Sequence, residues 1–303
     1  MNQFISKDEY PPKMGGLKEI IFALNYCGRG AVFTKSDWNA AYKHVAVQQK
    51  QLRYQWFMWL QKYFLELCLI FGCVSSVGLY DRLARLIWMI AAAIEMYPYF
   101  LIIQHLDDLI MIGRGDDGRV QKVYQRYLDV CTKTGISLQE PKDAASDKAF
   151  GPTTEGSMLG IWFNTVTWKW WLSSDKVLRY ANDLTDLLQT EETSQRTIWE
   201  SVGKILYVSY LIPESKYYTC SLLKTNNQSE DPKARIKITE EMKREIRWWI
   251  PMVRLVGEGM PIPPTYNVCP PLALEADNDA ARGSKKGAPG CGIVMGDAWA
   301  YLE

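Results

Sequence analysis

Histidine is scarce: the 303 residues hold only His44 and His105, too few for a metal centre built on imidazoles. The seven cysteines (Cys27, Cys68, Cys73, Cys131, Cys220, Cys269 and Cys291) are odd in number, and none stands in a Cys-x-x-Cys pair. That pattern argues against a disulfide framework and a zinc site, and fits reduced thiols in an intracellular protein. No basic start followed by an apolar stretch marks a signal peptide. The most apolar run, 83–103, is broken by Arg85, Glu95 and Pro98 and falls short of a membrane span. Net charge is only +1, so any nucleic-acid surface must be local.

The chain is not short of core-forming residues. Hydrophobic residues make up 48% and charged ones 23%, and a chain this long often splits into two domains. Tryptophan is abundant, with twelve copies. Half of them (Trp162, Trp168, Trp170, Trp171, Trp248 and Trp249) fall in two clusters, where buried packing is favoured over stacking on bases.

Periodicity divides the chain. Residues 1–16, with Pro11-Pro12 and Gly15-Gly16, read as an extended lead-in. Residues 17–24 suit a short helix and 31–36 a strand; a further helix is expected over 39–43. Alternation over 52–60 and 62–70 predicts a hairpin. Leu79, Leu83, Leu86, Ile90 and Ile94 predict a helix over 75–96. Strands flanking a double Asp fill 99–113, a helix follows over 118–134, and strands are expected over 158–163 and 165–172. From 173 to 255 the pattern turns helical, with Ser174, Ser194 and Thr239 as helix caps. A Pro-rich stretch, 256–271, reads as a linker before a last segment, 272–303. The expected class is α+β.

Two carboxylate contexts suggest chemistry. Asp37 ends the strand-like run Phe33-Thr34-Lys35-Ser36. Asp107 and Asp108 sit between two apolar runs, at what reads as a hairpin tip. Carboxylates a few ångströms apart repel unless one is protonated or a cation lies between them. Mg²⁺ prefers such oxygen ligands and leaves positions open for substrate phosphates, the arrangement two-metal phosphoryl transfer needs.

The order of the remaining motifs resembles the palm and thumb of a reverse transcriptase, over about residues 11–303, in the flavour of retrotransposon enzymes including the tyrosine-recombinase (DIRS-like) group. Asp37-Trp38-Asn39-Ala40-Ala41-Tyr42 is similar to the family's first catalytic motif. Phe71-Gly72-Cys73-Val74-Ser75-Ser76-Val77 resembles its Phe-Gly-Leu-x-Ser-Ala-Pro segment, with Val77 for the usual Pro. His105-Leu106-Asp107-Asp108 resembles the Tyr-x-Asp-Asp box, with His105 for Tyr. Gly135 to Lys142, the Leu159-Gly160 pair and the helical stretch 203–213 are similar to the family motifs that follow. Leu274-Glu275-Ala276-Asp277 and Gly290-Cys291-Gly292 resemble the first strands of a ribonuclease H-like domain.

The resemblance implies a fold of palm (17–172, with the fingers largely missing), helical thumb (173–255) and truncated ribonuclease H-like start (272–303). Asp37, Asp107 and the more replaceable Asp108 would hold two Mg²⁺, or Mn²⁺ in their place, and Lys142 would assist the leaving pyrophosphate. Trp38, Tyr42, Phe71, Gly72 and Ser75 would meet the nucleotide; His105, Leu159 and Gly160 would meet the primer. Asp277 would be a nuclease remnant. The implied partners are an RNA or DNA template, a DNA primer, deoxynucleoside triphosphates and other parts of a retroelement polyprotein, with no membrane. Two alternatives stand beside this reading: a captured, inactive fragment that binds nucleic acid or protein, and an unrelated Mg²⁺ phosphohydrolase.

Overall fold

The computed structural model describes residues 5, 9–93, 100–140, 149–226, 229–264, 276–281, 290–295 and 298–302. Chain contacts divide it into two units, Met1–Pro263 and Pro264–Glu303. The division falls inside the Pro-rich stretch, where the sequence suggests a linker. No boundary falls at 172/173, because the helical region shares one hydrophobic core with the sheet before it.

The first unit opens with α1 (Leu17–Cys27), β1 (Val32–Asp37), a 3₁₀ turn (Ala41–His44), α2 (Gln49–Leu52), β2 (Trp56–Trp59) and β3 (Lys62–Leu65). It continues through α3 (Val74–Ala92), β4 (Phe100–His105), β5 (Asp108–Gly113), α4 (Arg119–Thr134) and β6 (Phe150–Thr153). β4, β5, β1 and β6 pair antiparallel in the order β4-β5-β1-β6. Strand side chains alternate between faces, so the sheet packs on both sides. Phe33, Ile103, Ile110 and Ile112 meet Ile20 and Leu24 of α1 in one core. Leu109, Met111 and Phe100 meet Tyr80, Ile87, Val123 and Tyr127 of α3 and α4 in the other.

Next come β7 (Glu155–Met158), β8 (Ile161–Asn164) and β9 (Lys169–Trp171), joined later by β12 (Met260–Pro261) in the order β12-β9-β8-β7. The helical part holds α5 (Ser174–Gln189), α6 (Gln195–Val208), α7 (Cys220–Asn226) and α8 (Glu240–Leu255), with β10 (Glu192–Ser194) paired to β11 (Arg235–Lys237). Ser194 and Thr239 cap α6 and α8 as expected, accepting from the backbone N–H of Thr197 and Met242. Ser174 does not cap; it is the first helical residue, and Ser173 occupies the cap position with no side-chain bond. Trp170 and Trp249 are fully buried, in line with packing rather than stacking.

Four other expectations needed adjustment. The strand expected over 158–163 is broken by a turn at Leu159–Gly160 between β7 and β8, where both residues have positive φ, and of the strand expected over 165–172 only Lys169–Trp171 pairs, as β9. The helix expected over 39–43 is a short 3₁₀ turn, preceded by Ala40 at φ +49, which prevents helical continuation from β1. The β2–β3 hairpin is shorter than the alternation suggested and exposes side chains on both faces, including Trp56, Phe57, Trp59, Tyr63 and Phe64. The seven Lys and Arg of 233–254, whose sequence suits a duplex groove or a solvated helix face alike, are in part paired with acidic neighbours: Lys243 with Glu191 and Glu240, Arg244 with Glu241 and Arg235 with Glu192.

An extended strap ahead of α1 lies across α3 and the outer edge of β4. The Gly15 N–H donates to the Gln104 carbonyl at 2.8 Å. Arg85 donates to the Lys13 carbonyl and pairs with buried Asp81 at 2.9 Å, and Gly78 leaves room for the Tyr10 backbone. In the second unit, β13 (Ala276–Ala281), β14 (Gly290–Met295) and β15 (Ala298–Leu302) form an antiparallel sheet in that order.

Candidate active site

Two neighbouring central strands bring the acidic residues together. β1 ends at Asp37 and β5 starts at Asp108, and the antiparallel register sets Asp37 directly opposite Asp108. Directly opposed residues share a sheet face with Cβ atoms about 5 Å apart. On the other side of β5, Asp108 opposes His105. Asp107 occupies the two-residue turn with Leu106, whose φ of +53 lies in the region that suits glycine. That strain costs about 1 kcal/mol and sits at the tip that displays Asp107 to solvent.

Two tyrosines face the carboxylates. The pKa of buried Tyr80 is raised far above its ordinary value by burial first, then by the charges on Asp107 and Asp37, with smaller contributions from Tyr42 and Asp108. Tyr42 is raised by burial and by Asp107. One phenol thus senses all three carboxylates. Tyr42 packs on Phe71 with ring centroids 4.8 Å apart and on Tyr80 at 5.7 Å. Phe71 is 84% exposed beside Gly72, whose φ of +84 only glycine adopts without strain. Trp38 stands behind this group: it is buried, donates to the Tyr127 hydroxyl at 2.6 Å and packs edge-on against Tyr80, so it supports the site rather than facing a ligand.

Lys35 was not anticipated. It lies two residues before Asp37 on the same strand face, is buried, and its Nζ sits 3.1 Å from Asp108 Oδ2. Burial raises the Asp108 pKa, and the Lys35 charge and hydrogen bond oppose that rise. Asp108 is therefore engaged by a lysine, whereas Asp107 points toward the tyrosine side. Among the described residues no group of three or more His, Cys, Asp or Glu is set to hold a metal ion. Asp37 and Asp107 supply hard oxygen donors, and a divalent cation here would need oxygens from a bound phosphate to complete its shell.

His105 is half-buried, and its Nδ1 lies 2.7 Å from the Gly15 carbonyl, which ties the Asp107 hairpin to the strap. Lys142 lies outside the described residues. Gln139, three residues before it in sequence, donates its N–H to the Asp37 carbonyl at 2.9 Å, so that segment runs beside the end of β1. Ser75 lies in the first turn of α3, next to the Phe71–Gly72 segment. Asp277 falls within β13 opposite Val294, and its side chain is outside the described residues.

Leu159 and Gly160 form the tight β7–β8 turn, at φ +49 and +77. The Tyr207 hydroxyl of α6 donates to the Leu159 carbonyl at 3.0 Å, and Lys176 of α5 donates to the Gly160 carbonyl at 2.8 Å. Two helices therefore hold this turn in place. Tyr207→Phe removes one bond and leaves its acceptor unpaired, so a loss of about 1 kcal/mol in urea unfolding is expected. No loss would mean that water replaces the hydroxyl without cost.

No known family model matches the chain, and no curated protein matches it. Solved structures do. The chain is similar to the foamy viral protease–reverse transcriptase in complex with an RNA/DNA hybrid, at 12% identity and TM-score 0.59, covering 83% of this chain and 30% of that one. It is similar to a dRH form of that protein in complex with double-stranded DNA, at 13% identity and TM-score 0.60, with 96% and 46% covered. A third structure, of the foamy viral protease–reverse transcriptase with double-stranded DNA, matches at 13% identity and TM-score 0.59, with 97% and 56% covered. The chain thus spans between about a third and just over half of these proteins. Its mixed, antiparallel α+β architecture is a reverse transcriptase-like fold.

Proposed function

We propose that the chain is the palm and thumb of a retroelement RNA-directed DNA polymerase of the retrotransposon kind its motifs resemble. The observation that carries this reading is the placement of Asp37 opposite Asp108 at the ends of β1 and β5, with Asp107 in the adjoining turn close enough to add to the burial-driven rise in the pKa of Tyr80 and Tyr42, although 70 residues separate Asp37 from Asp107. Its substrates are a primer paired to an RNA or DNA template and deoxynucleoside triphosphates. Asp37 and Asp107 would hold two Mg²⁺, with Asp108 released from Lys35 as an added ligand. Bound there, the ions would lower the pKa of the primer hydroxyl and neutralise charge on the departing pyrophosphate. The chain's own residues position the reactants: Tyr42 and Phe71 form an aromatic floor for the nucleotide, and the Leu159–Gly160 turn meets the primer. Lys142 would supply a proton or charge to pyrophosphate. The 264–303 unit is read as the start of a ribonuclease H-like domain with Asp277 as its first carboxylate.

The test is extension of a DNA primer on an RNA template, with deoxynucleoside triphosphates and with Mg²⁺ or a chelator. Extension that requires the cation is expected. A second reading, a non-catalytic nucleic-acid-binding fragment, is favoured by the engagement of Asp108 with Lys35. It predicts that the duplex binds equally well with chelator and that no extension occurs.

A further inference from the structure

The β2–β3 hairpin takes no part in the proposed reaction. It forms a sheet of only two strands, and an isolated two-stranded sheet is marginally stable by itself. Alternation along the paired strands puts Trp56, Met58 and Tyr63 on one face and Phe57, Trp59 and Phe64 on the other. All six are exposed. Leu60 and Gln61 make the turn at φ +47 and +61, where an Asn-Gly pair would sit without strain. Leu60, at this tip, is 78% exposed. Apolar groups therefore project from both faces and from a strained tip, and a contiguous exposed cluster of this kind marks an interaction site.

The charges along this segment have one sign. No Asp or Glu occurs from residue 38 to residue 65, and Glu66, just beyond, is paired with Lys43. Lys50 in α2, Arg53 at its C-terminal end and Lys62 in β3 are exposed, and none of them pairs with a carboxylate of the described residues. Arg53 lies over the Tyr54 ring instead, at 4.8 Å. Two copies meeting through such hairpins would repel, whereas an anionic partner is attracted. A strand of stacked bases would cover one face and leave the other in water, and Met58 and Leu60 have no ring on which a base could stack. A lipid headgroup layer closes around both faces of a hairpin that dips into it, and Trp and Tyr favour that level. Docking of this kind needs no spanning segment, and among the described residues no helix is long and apolar enough to cross a membrane.

We infer that the β2–β3 hairpin is a peripheral docking site for an anionic bilayer surface. Trp56, Trp59, Leu60 and Tyr63 enter the boundary between headgroups and acyl chains, and Lys50, Arg53 and Lys62 meet the lipid phosphates and carboxylates above it. The two outer edges of the sheet carry unpaired N–H and C=O groups, which keep the backbone in the hydrated layer and out of the hydrocarbon. The family resemblance implied no membrane partner; this surface adds one. None of these side chains belongs to the site of Asp37 and Asp107, so the docking holds whether or not the chain polymerises DNA.

The experiment mixes the full chain with vesicles of phosphatidylcholine alone or of phosphatidylcholine with phosphatidylserine, and measures the bound fraction by sedimentation. Binding to the anionic vesicles is expected to be at least about tenfold tighter than to the neutral ones and to weaken as salt is raised. Brominated acyl chains are expected to quench part of the tryptophan emission, and Trp56→Phe with Trp59→Phe to abolish that part. Leu60→Asn with Gln61→Gly relieves the turn, so the hairpin is kept, and is expected to weaken binding about tenfold. Lys62→Gln is expected to weaken binding to the anionic vesicles, whereas Lys224→Gln, on α7, leaves it unchanged. The proposal is overturned if neither vesicle binds, if both bind equally, or if the tip variants bind like the wild type. It is also overturned if those variants weaken binding of a single-stranded oligothymidylate instead, which would make the hairpin a base-stacking surface.

Discussion

On the proposed polymerase function, Asp107→Asn will reduce Mg²⁺-dependent primer extension by about a hundred- to a thousandfold, the scale of loss when one preorganised electrostatic group is removed from a reacting centre. The fold will not pay for it, because Asp107 is exposed at the hairpin tip and its neighbours are strand ends. An unchanged thermal midpoint therefore accompanies the lost activity. A second readout comes from the tyrosines. The Asp107 charge helps to hold Tyr80 and Tyr42 above their ordinary pKa values, after burial. Neutralising it lowers both, and spectrophotometric titration of phenolate formation follows the change in Tyr42. Extension close to wild type would remove Asp107 from the chemistry. Lost extension with an unmoved tyrosine titration would mean that the tip does not face the phenols.

Lys35→Met will destabilise the protein by about 3 kcal/mol at neutral pH, the lower end of the range for breaking a buried ion pair. The lower end applies because 23% of the Asp108 side chain remains exposed. The effect has a defined pH dependence. Burial already holds the Asp108 pKa above that of the unfolded chain, and Lys35 limits the rise. Without the lysine the folded-state pKa moves higher, and the folded protein takes up a proton more readily than the unfolded one. Stability is therefore fully present below the ordinary carboxylate range and is lost as pH rises through the raised folded value. Acidification from neutral pH should restore much of the lost stability in Lys35→Met, and adding Asp108→Asn should restore it without acid. Denaturation of the three proteins over a series of pH values checks this. A destabilisation that is the same at every pH would assign the loss to packing of the lysine stem.

Much of the architecture was legible because it is written locally. Alternation and helical spacing located β1, α3, β4, β5 and α4, and the hydroxyls of Ser194 and Thr239 marked two helix starts. The acidic positions drew attention because the double Asp, which alone most often marks a solvated turn, lies between two apolar runs, and Asp37 ends a strand. What stayed hidden is non-local. The pairing of Asp37 with Asp108 comes from two strands far apart in the chain, and register cannot be read within either one. Lys35 was within reach: strand parity puts it on the face of Asp37, one step diagonally from Asp108. Tyr80 carried no such signal, since helical spacing marks it only as a core residue. The two-sided exposure of β2–β3 also escaped the sequence, because alternation says which residues share a face but not what covers it. Continuity of the core across 172/173 escaped it as well, since a change of period marks a change of element rather than a gap in packing.

The strap ahead of α1 has a further consequence for β4. β4 is an outer strand, and such strands present unpaired amides and carbonyls that invite another chain to dock and extend the sheet. Gly15 occupies part of that row through Gln104, and the imidazole of His105 caps the strap from the neighbouring position. The same few residues that steady the acidic tip therefore also shield the sheet from growing into an aggregate. Shortening the chain ahead of α1 would trade a catalytic question for a solubility problem.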